Sequence, residues 1–314
     1  GANLQGAFFR EALLERAHFE DADLQLADLS GASLLDGYFY GANLSKANLT
    51  DADLAGTDLR RTNLRQATLR RANLQGALLD SATLDGTSLV EADLESAYLD
   101  DASLVQADLH EASLRGADFR YARLTNANLQ RANLENANIE GANLAKARLN
   151  SATMTMSVLY KANLTSANLH GARLHHAVLI DAHLSRADLQ KADLTEVYAP
   201  KAHLQQARLA EANLELANLV SADLSEADMS HSIMVQTNLQ EANLRGSNLS
   251  AADLTGAQLN NADLQQANLR SANLSGALGL VQAQLDQACL DEATQIPTDL
   301  QRPKACPSPR QKRK

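Results

Sequence analysis

His183, His203 and Asp223 stand at intervals of twenty residues. Two imidazoles and a carboxylate are a donor set for Zn²⁺ or Ni²⁺ if the chain brings them to one place. Neighbouring imidazolium ions would also repel one another near the ordinary histidine pKa of ~6.5, so such a pair responds to pH. His175 and His176 form a second pair. The reading adopted for all of these is the bland one, solvated histidines in variable slots, and no metal, cofactor or catalytic residue is expected. Other chemistry is thinner still. There is no HExxH, no glycine loop to cradle phosphate, and no Ser–His–Asp set on a supporting fold. Carboxylates are abundant, so pairs of them arise by repetition alone. Cys289 and Cys306 fit no CxxC pattern, and their spacing leaves open whether they pair.

What must position these residues is a strict beat of five. Every fifth residue from Leu4 to Leu274, 55 positions in all, is Leu, Phe, Ile or Met, with the single exception of Ala199. Two residues before each stands a small residue, nearly always Ala, and once Val197. The phase never slips before Gly279, so the chain has no room for an inserted loop. A period of five with two inward residues fits neither an α-helix nor a flat strand. Composition agrees: of 314 residues only 4% are aromatic and none is Trp, while Ala and Leu dominate the 45% that is hydrophobic. That is the make-up of one small unit repeated rather than of a mixed globular core.

Written as ANLSK, ANLTD, ADLAG, ANLQR and ADLQQ, the pattern resembles that of the pentapeptide-repeat family over residues 1–278. The resemblance implies an all-β solenoid, a right-handed quadrilateral β-helix in which four pentapeptides make one twenty-residue coil. Some 55 units then give about 14 coils and, at ~4.8 Å per coil, a rod ~65 Å long. Ala would fit the tight corner and Leu the centre, each Leu contributing roughly 1.5–3 kcal/mol before entropy. Asn and Asp before the Leu suit tight turns, where their side chains bond local backbone N–H groups. His183, His203 and Asp223 become neighbours in one outer column ~5 Å apart. His175 and His176 fall on a neighbouring side, out of their reach.

A twenty-residue coil also sorts the aromatics. Tyr38, Tyr98 and Tyr198 share one outer column with Leu78, Val158 and Val178. Tyr40 and Tyr160 share another with Ile180, and Tyr121 sits one residue on. The column running from Asn3 to Asp263 carries Asn or Asp at nine of fourteen positions, but that from His18 to Leu278 at only five of fourteen. Exposed aromatics give large contact area at modest entropy cost, so this side reads as a protein-docking face. Against it stands the simpler reading that larger inward residues (Phe19, Phe39, Phe119) widen this side and its turn residues vary harmlessly. Within it, VYAPK puts Ala199 where a large residue belongs and Pro200 beside it, which predicts a kink or shallow dent compensated by Val197.

The formal charge is −10, and the last fourteen residues hold six basic groups and no acid, leaving −16 on the rest. The tail over 294–314 reads as extended or disordered. Some members of the resembled family mimic DNA and bind type II topoisomerases, protecting them from quinolones. Duplex DNA of ~65 Å would carry ~38 charges, and Arg60, Arg61, Arg65, Arg70 and Arg71 interrupt the acidity. DNA mimicry is therefore the alternative function. The leading one is a non-catalytic scaffold or adaptor that presents a rigid rod to another protein. Residues 279–293 are expected to form an amphipathic helix, with Val281, Leu285, Ala288 and Cys289 on one face, that caps the last coil or pairs two chains. A homodimer through that helix or end to end, no direct nucleic-acid binding and no membrane span complete the expectation. A cytoplasmic location is expected, with export or an upstream domain left open because the chain begins at Gly1 inside a running repeat.

Overall fold

The computed structural model describes residues 1–303 and Cys306. Most of the basic tail, residues 304, 305 and 307–314, lies outside them. The chain divides into two compact units, Gly1–Asn168 and Leu169–Lys314.

In the first unit, pairing runs in parallel at a register of twenty, from Asn3 with Asp23 to Arg148 with Asn168. Residues 23–27 show how the five-residue unit accounts for its backbone. The Asp23 N–H donates to the Ala2 carbonyl of the preceding coil, and the Leu24 N–H to Asn43 of the following one. The Leu26 N–H also reaches forward, to Ser45, and the Ala27 N–H closes the turn onto Leu24 at 3.0 Å. Gln25 is left, and the Asp23 side chain accepts from its N–H at 3.2 Å. All five donors are thus used, as buried or packed backbone requires. That is the physical reason for Asn or Asp before the leucine.

Each turn puts its third residue at positive φ, +61° at Leu26, in the pattern of a type II turn. The position recurs every fifth residue from Gly6 to Gly276, and most occupants are not glycine. An L-residue there costs roughly 1–2 kcal/mol, offset by the turn bond and the coil-to-coil bonds on either side of it. Between corners there is room for only one paired residue. Pairing therefore takes the form of isolated bridges, and no sheet of extended strands forms among the described residues. From Leu24 onward the inward leucines of this unit, with Phe39 and Phe119, fill the centre almost without solvent exposure, while Leu4 and Leu14 of the first coil are only half-buried.

The second unit repeats the scheme from Arg173 with Asp193 to Gln258 with Leu278. Its ending differs from expectation. The helix α1 is one turn, Gln282–Leu285, rather than an element spanning 279–293. Val281 precedes it and is 52% exposed, while Leu285 and Ala288 are buried. The reason is that the repeat's pairing resumes: Cys289 bridges Asn268 and Gln295 bridges Asn273, which draws the chain out of helix after one turn. The Gln284 side-chain amide donates to the carbonyls of Leu259 and Ala262 at 2.8 and 2.9 Å, satisfying acceptors on the last repeats. Asp291 takes the Ser271 N–H at 2.8 Å and the Thr294 N–H at 2.9 Å. A disulfide joins Cys289 to Cys306, settling a pairing that spacing left open. Among the described residues no helix is long and apolar enough to cross a membrane.

Candidate interaction face

In the first unit the column of Tyr38 is continuous: bridges link His18, Tyr38, Asp58, Leu78, Tyr98, Asp118, Asn138 and Val158 in order. Tyr38 stands 41% exposed, its ring stacked on His18 at 4.6 Å and 7°. Phe39 points inward between Tyr38 and Tyr40 and stacks on Phe19 at 4.9 Å. Alternation along the backbone thus sends one aromatic in and its two neighbours out. The guanidinium groups of Arg60 and Arg61 stand 5.9 and 5.8 Å from the Tyr40 ring centre. Lys161 lies 4.9 Å from that of Tyr160. Tyr121, more exposed than Tyr38, lies across Gly141, where an added Cβ would meet its ring at 2.7 Å. Leu78, Val158 and Tyr160 are half-buried.

At its tyrosine, leucine and valine positions this column gives up the side-chain cap that Asp58, Asp118 and Asn138 keep, accepting the N–H of Arg60, Arg120 and Glu140. Tyr38, Leu78, Tyr98 and Val158 have no oxygen placed to accept the N–H two residues on, as Asp23 does for Gln25. Its two carboxylates in this stretch are occupied. Asp58 takes two bonds from Arg60 at 2.8 and 2.6 Å, and Asp118 is held by Arg120. The Arg60 bonds hold the Asp58 carboxyl below the usual carboxylate range although burial opposes this.

In the second unit, Val178 bridges Tyr198 and Tyr198 bridges Asn218, so the register holds through Ala199 and Pro200 without a kink. Tyr198 is exposed and Val178 and Ile180 are half-buried. In place of a surface dent there is an internal void of about 10 Å³, lined by Val197, Ala199 and the surrounding leucines. It offers no polar group to hold a water.

His183 and His203, also in the second unit, stack face to face at 4.6 Å and 4°. Parallel rings set their nitrogens side by side instead of converging on a point. The Asp223 carboxylate beyond them already accepts from Gln205, Ser225 and Asn243. Burial, then the charge of His203, pushes the His183 pKa down. The donors that do converge are those of His175, His176 and Glu196, whose ligand atoms lie within 4.8 Å of one another. Glu196 stands twenty residues after His176, a spacing the sequence displays and the column-by-column reading passed over.

The basic band is largely neutralised: Arg65 faces Asp85 at 3.5 Å, Arg70 faces Glu91 at 2.8 Å, and Arg71 forks onto Asp51 at 2.8 and 2.7 Å.

A family model described as pentapeptide repeats matches in eight copies, over residues 1–35, 38–76, 47–86, 77–116, 117–155, 157–195, 201–236 and 237–276. Among solved structures, the chain is similar to HetL, a pentapeptide repeat protein involved in heterocyst differentiation regulation in the cyanobacterium Nostoc sp. strain PCC 7120. The identity is 34% over 72% of this chain and 88% of that one, with a TM-score of 0.38. It is also similar to Rfr23, a pentapeptide repeat protein of the cyanobacterium Cyanothece 51142, at 36% identity over 33% of this chain and 63% of that one (TM-score 0.16). Full-length QnrB1, a plasmid-mediated fluoroquinolone resistance protein, is 17% identical over 65% of this chain and 92% of its own (TM-score 0.32). No curated protein matches.

Proposed function

The chain belongs to the pentapeptide-repeat family, whose members fold as right-handed β-helices, and from that premise we propose that it is a non-catalytic protein-interaction module. Its docking face in the first unit centres on Tyr38, Tyr40, Leu78, Tyr98, Tyr121, Val158 and Tyr160. Val178, Ile180 and Tyr198 form the corresponding patch of the second unit. One observation carries the reading. Tyr38, Leu78, Tyr98 and Val158 forgo the cap that Asp58, Asp118 and Asn138 keep in the same column, a hydrogen bond of about 0.5–1.5 kcal/mol at each such turn, and two of the four hold exposed rings instead. Exposed tyrosines return little to the fold and much to an interface. Cations beside Tyr40 and Tyr160 suit a partner whose apolar patch is rimmed with carboxylates.

The alternative, mimicry of DNA for a type II topoisomerase, fits the acidic balance. It is less well supported, because arginines paired with carboxylates break the negative surface into alternating charge. The test compares capture of host proteins by the wild-type chain and by Tyr38→Ser/Tyr98→Ser. A partner held by the first and lost by the second, with the variant's melting curve unchanged, is the expected result. Equal capture by both sinks the docking face. A topoisomerase held equally by both, and released when surface carboxylates are neutralised, establishes the alternative.

A further inference from the structure

His175 and His176 occupy the two middle positions of one turn, and Glu196 the second of these in the next coil. His176 and Glu196 both sit at positive φ, +58° and +55°. This fixed corner conformation stacks their side chains, and the His176 Nδ1 lies 3.5 Å from a Glu196 carboxylate oxygen. The His175 ring packs against that of His176 at 3.8 Å between centres and a tilt of 48°. A second observation concerns the tautomer. His175 Nδ1 lies 3.1 Å from the Thr195 carbonyl oxygen, which can only accept, so Nδ1 carries the proton. Its Nε2 then keeps a free lone pair. A ring N–H spent on a backbone carbonyl is the arrangement that orients a metal-binding histidine.

We propose that His175, His176 and Glu196 form a binding site for a borderline divalent transition ion, Zn²⁺ by preference. Two imidazoles and one carboxylate supply three of four tetrahedral positions, with water in the fourth. Imidazole donors select such ions over Mg²⁺ or Ca²⁺, which take oxygen. An ion at ~2.1 Å from each donor sets donor pairs ~3.4 Å apart. The donor atoms already lie within 4.8 Å of one another, and the His176–Glu196 pair, at 3.5 Å, stands at the separation an ion sets. The stacked pair His183 and His203 meets none of these conditions. With Cys289 and Cys306 joined, neither supplies a competing thiolate.

The test is calorimetric titration of zinc chloride into the full chain, free of any affinity tag and with its disulfide intact. One ion per chain is expected. His175→Gln, His176→Asn and Glu196→Gln should each weaken binding at least about tenfold, with unchanged melting curves in the absence of metal. Asn is chosen at 176 because it tolerates positive φ. His183→Asn/His203→Asn should bind as the wild type does. Cobalt chloride gives an independent readout, since tetrahedral coordination produces strong visible absorption that His176→Asn should abolish. The site is overturned if zinc produces no saturable heat, if the three variants bind unchanged, or if the His183/His203 variant loses the ion.

Discussion

Tyr198 and Pro200 occupy the two ends of a hydrogen bond that their turn has no means to make. Where the residue at the first position is Asn or Asp it accepts from the N–H at the second, as Asn218 of the same column does from Val220 at 3.2 Å. Tyrosine offers no acceptor there and proline no donor, so nothing is left unsatisfied. Pro200 also takes the second position of a turn closed by Ala202 N–H onto Ala199 at 3.2 Å, the place proline favours in a type II turn. The exposed ring at 198 is thus accommodated by its neighbour two residues on.

Pro200→Gln should then destabilise the second unit by about 1 kcal/mol, through a new uncapped donor and a freer unfolded chain. Tyr198→Asn alone should be near neutral, having no donor to cap. Together the introduced asparagine caps the introduced glutamine's N–H, and the double variant should recover about 1 kcal/mol relative to the sum of the two changes. Urea unfolding of the four proteins measures that coupling. Strict additivity would show that the proline is tolerated for some other reason.

Ala199 and Val197 form a second exchange, this time of volume. Val197 fills part of the space that a leucine at 199 would take, leaving the void of about 10 Å³. Ala199→Leu alone should overpack against Val197 and cost about 1–3 kcal/mol. Val197→Ala alone should enlarge the void at a cost of about 2 kcal/mol. Making both restores the repeat's usual pairing of small and large, and the double variant should melt above the wild type. Thermal unfolding of the set decides it. A double variant less stable than either single one would mean that the local backbone has adapted to the inverted pair.

The contrast between these residues and the histidines shows where the sequence is readable. A beat of five fixes which side chains point inward, so Leu24, Phe39 and Ala199 were placed correctly from position alone. The same beat gives the outer columns, and Tyr38, Leu78 and Tyr98 follow one another as expected. Contacts that cross between columns do not follow from stacking. His176 and Glu196 share a column, but His175 stands one column over, and its donor joins theirs only because of the corner's geometry. The terminal segment misled for a related reason. Its apolar spacing suits a helix, yet Cys289 and Gln295 recover pairing partners on the last repeats, and those bonds outweigh the helical propensity of some ten residues.

That terminal segment should be the part most sensitive to reduction. The disulfide closes a span of 17 residues from Cys289 to Cys306, worth about 3 kcal/mol against the opened chain. Asp291 provides a second attachment. The Ser271 N–H, aided by the Thr294 and Ser271 hydroxyls, holds its carboxyl down at about 2. A lowered carboxylate contributes stability that is present above its unfolded value of ~3.9 and is lost as pH falls toward 2. Hydrogen exchange at the Cys289 and Gln295 amides, which donate to Ala267 and Ala272, reports on both. Reduction should speed it at pH 7, and Asp291→Asn should speed it further. Unchanged protection after both treatments would place the attachment in the buried Leu285 and Ala288 instead.

Mild acid should weaken the second unit through His183. Its stacked face is covered, and burial followed by the charge of His203 lowers its pKa, with Asp181 pulling the other way. A histidine whose folded pKa lies below its unfolded value of ~6.5 resists protonation only in the folded state. Stability is then full above pH ~6.5 and declines as pH falls through that value, levelling off below the lowered folded pKa. The ring edge remains exposed to water, so the loss should be modest, a few degrees in melting temperature between pH 7.5 and 5.5. His183→Asn should remove most of this dependence, because it eliminates both the covered imidazole and its repulsion with His203. His203→Asn should remove only the repulsive part. A pH slope identical in all three proteins would assign the acid sensitivity to other groups and leave the stacked pair without a titrating role.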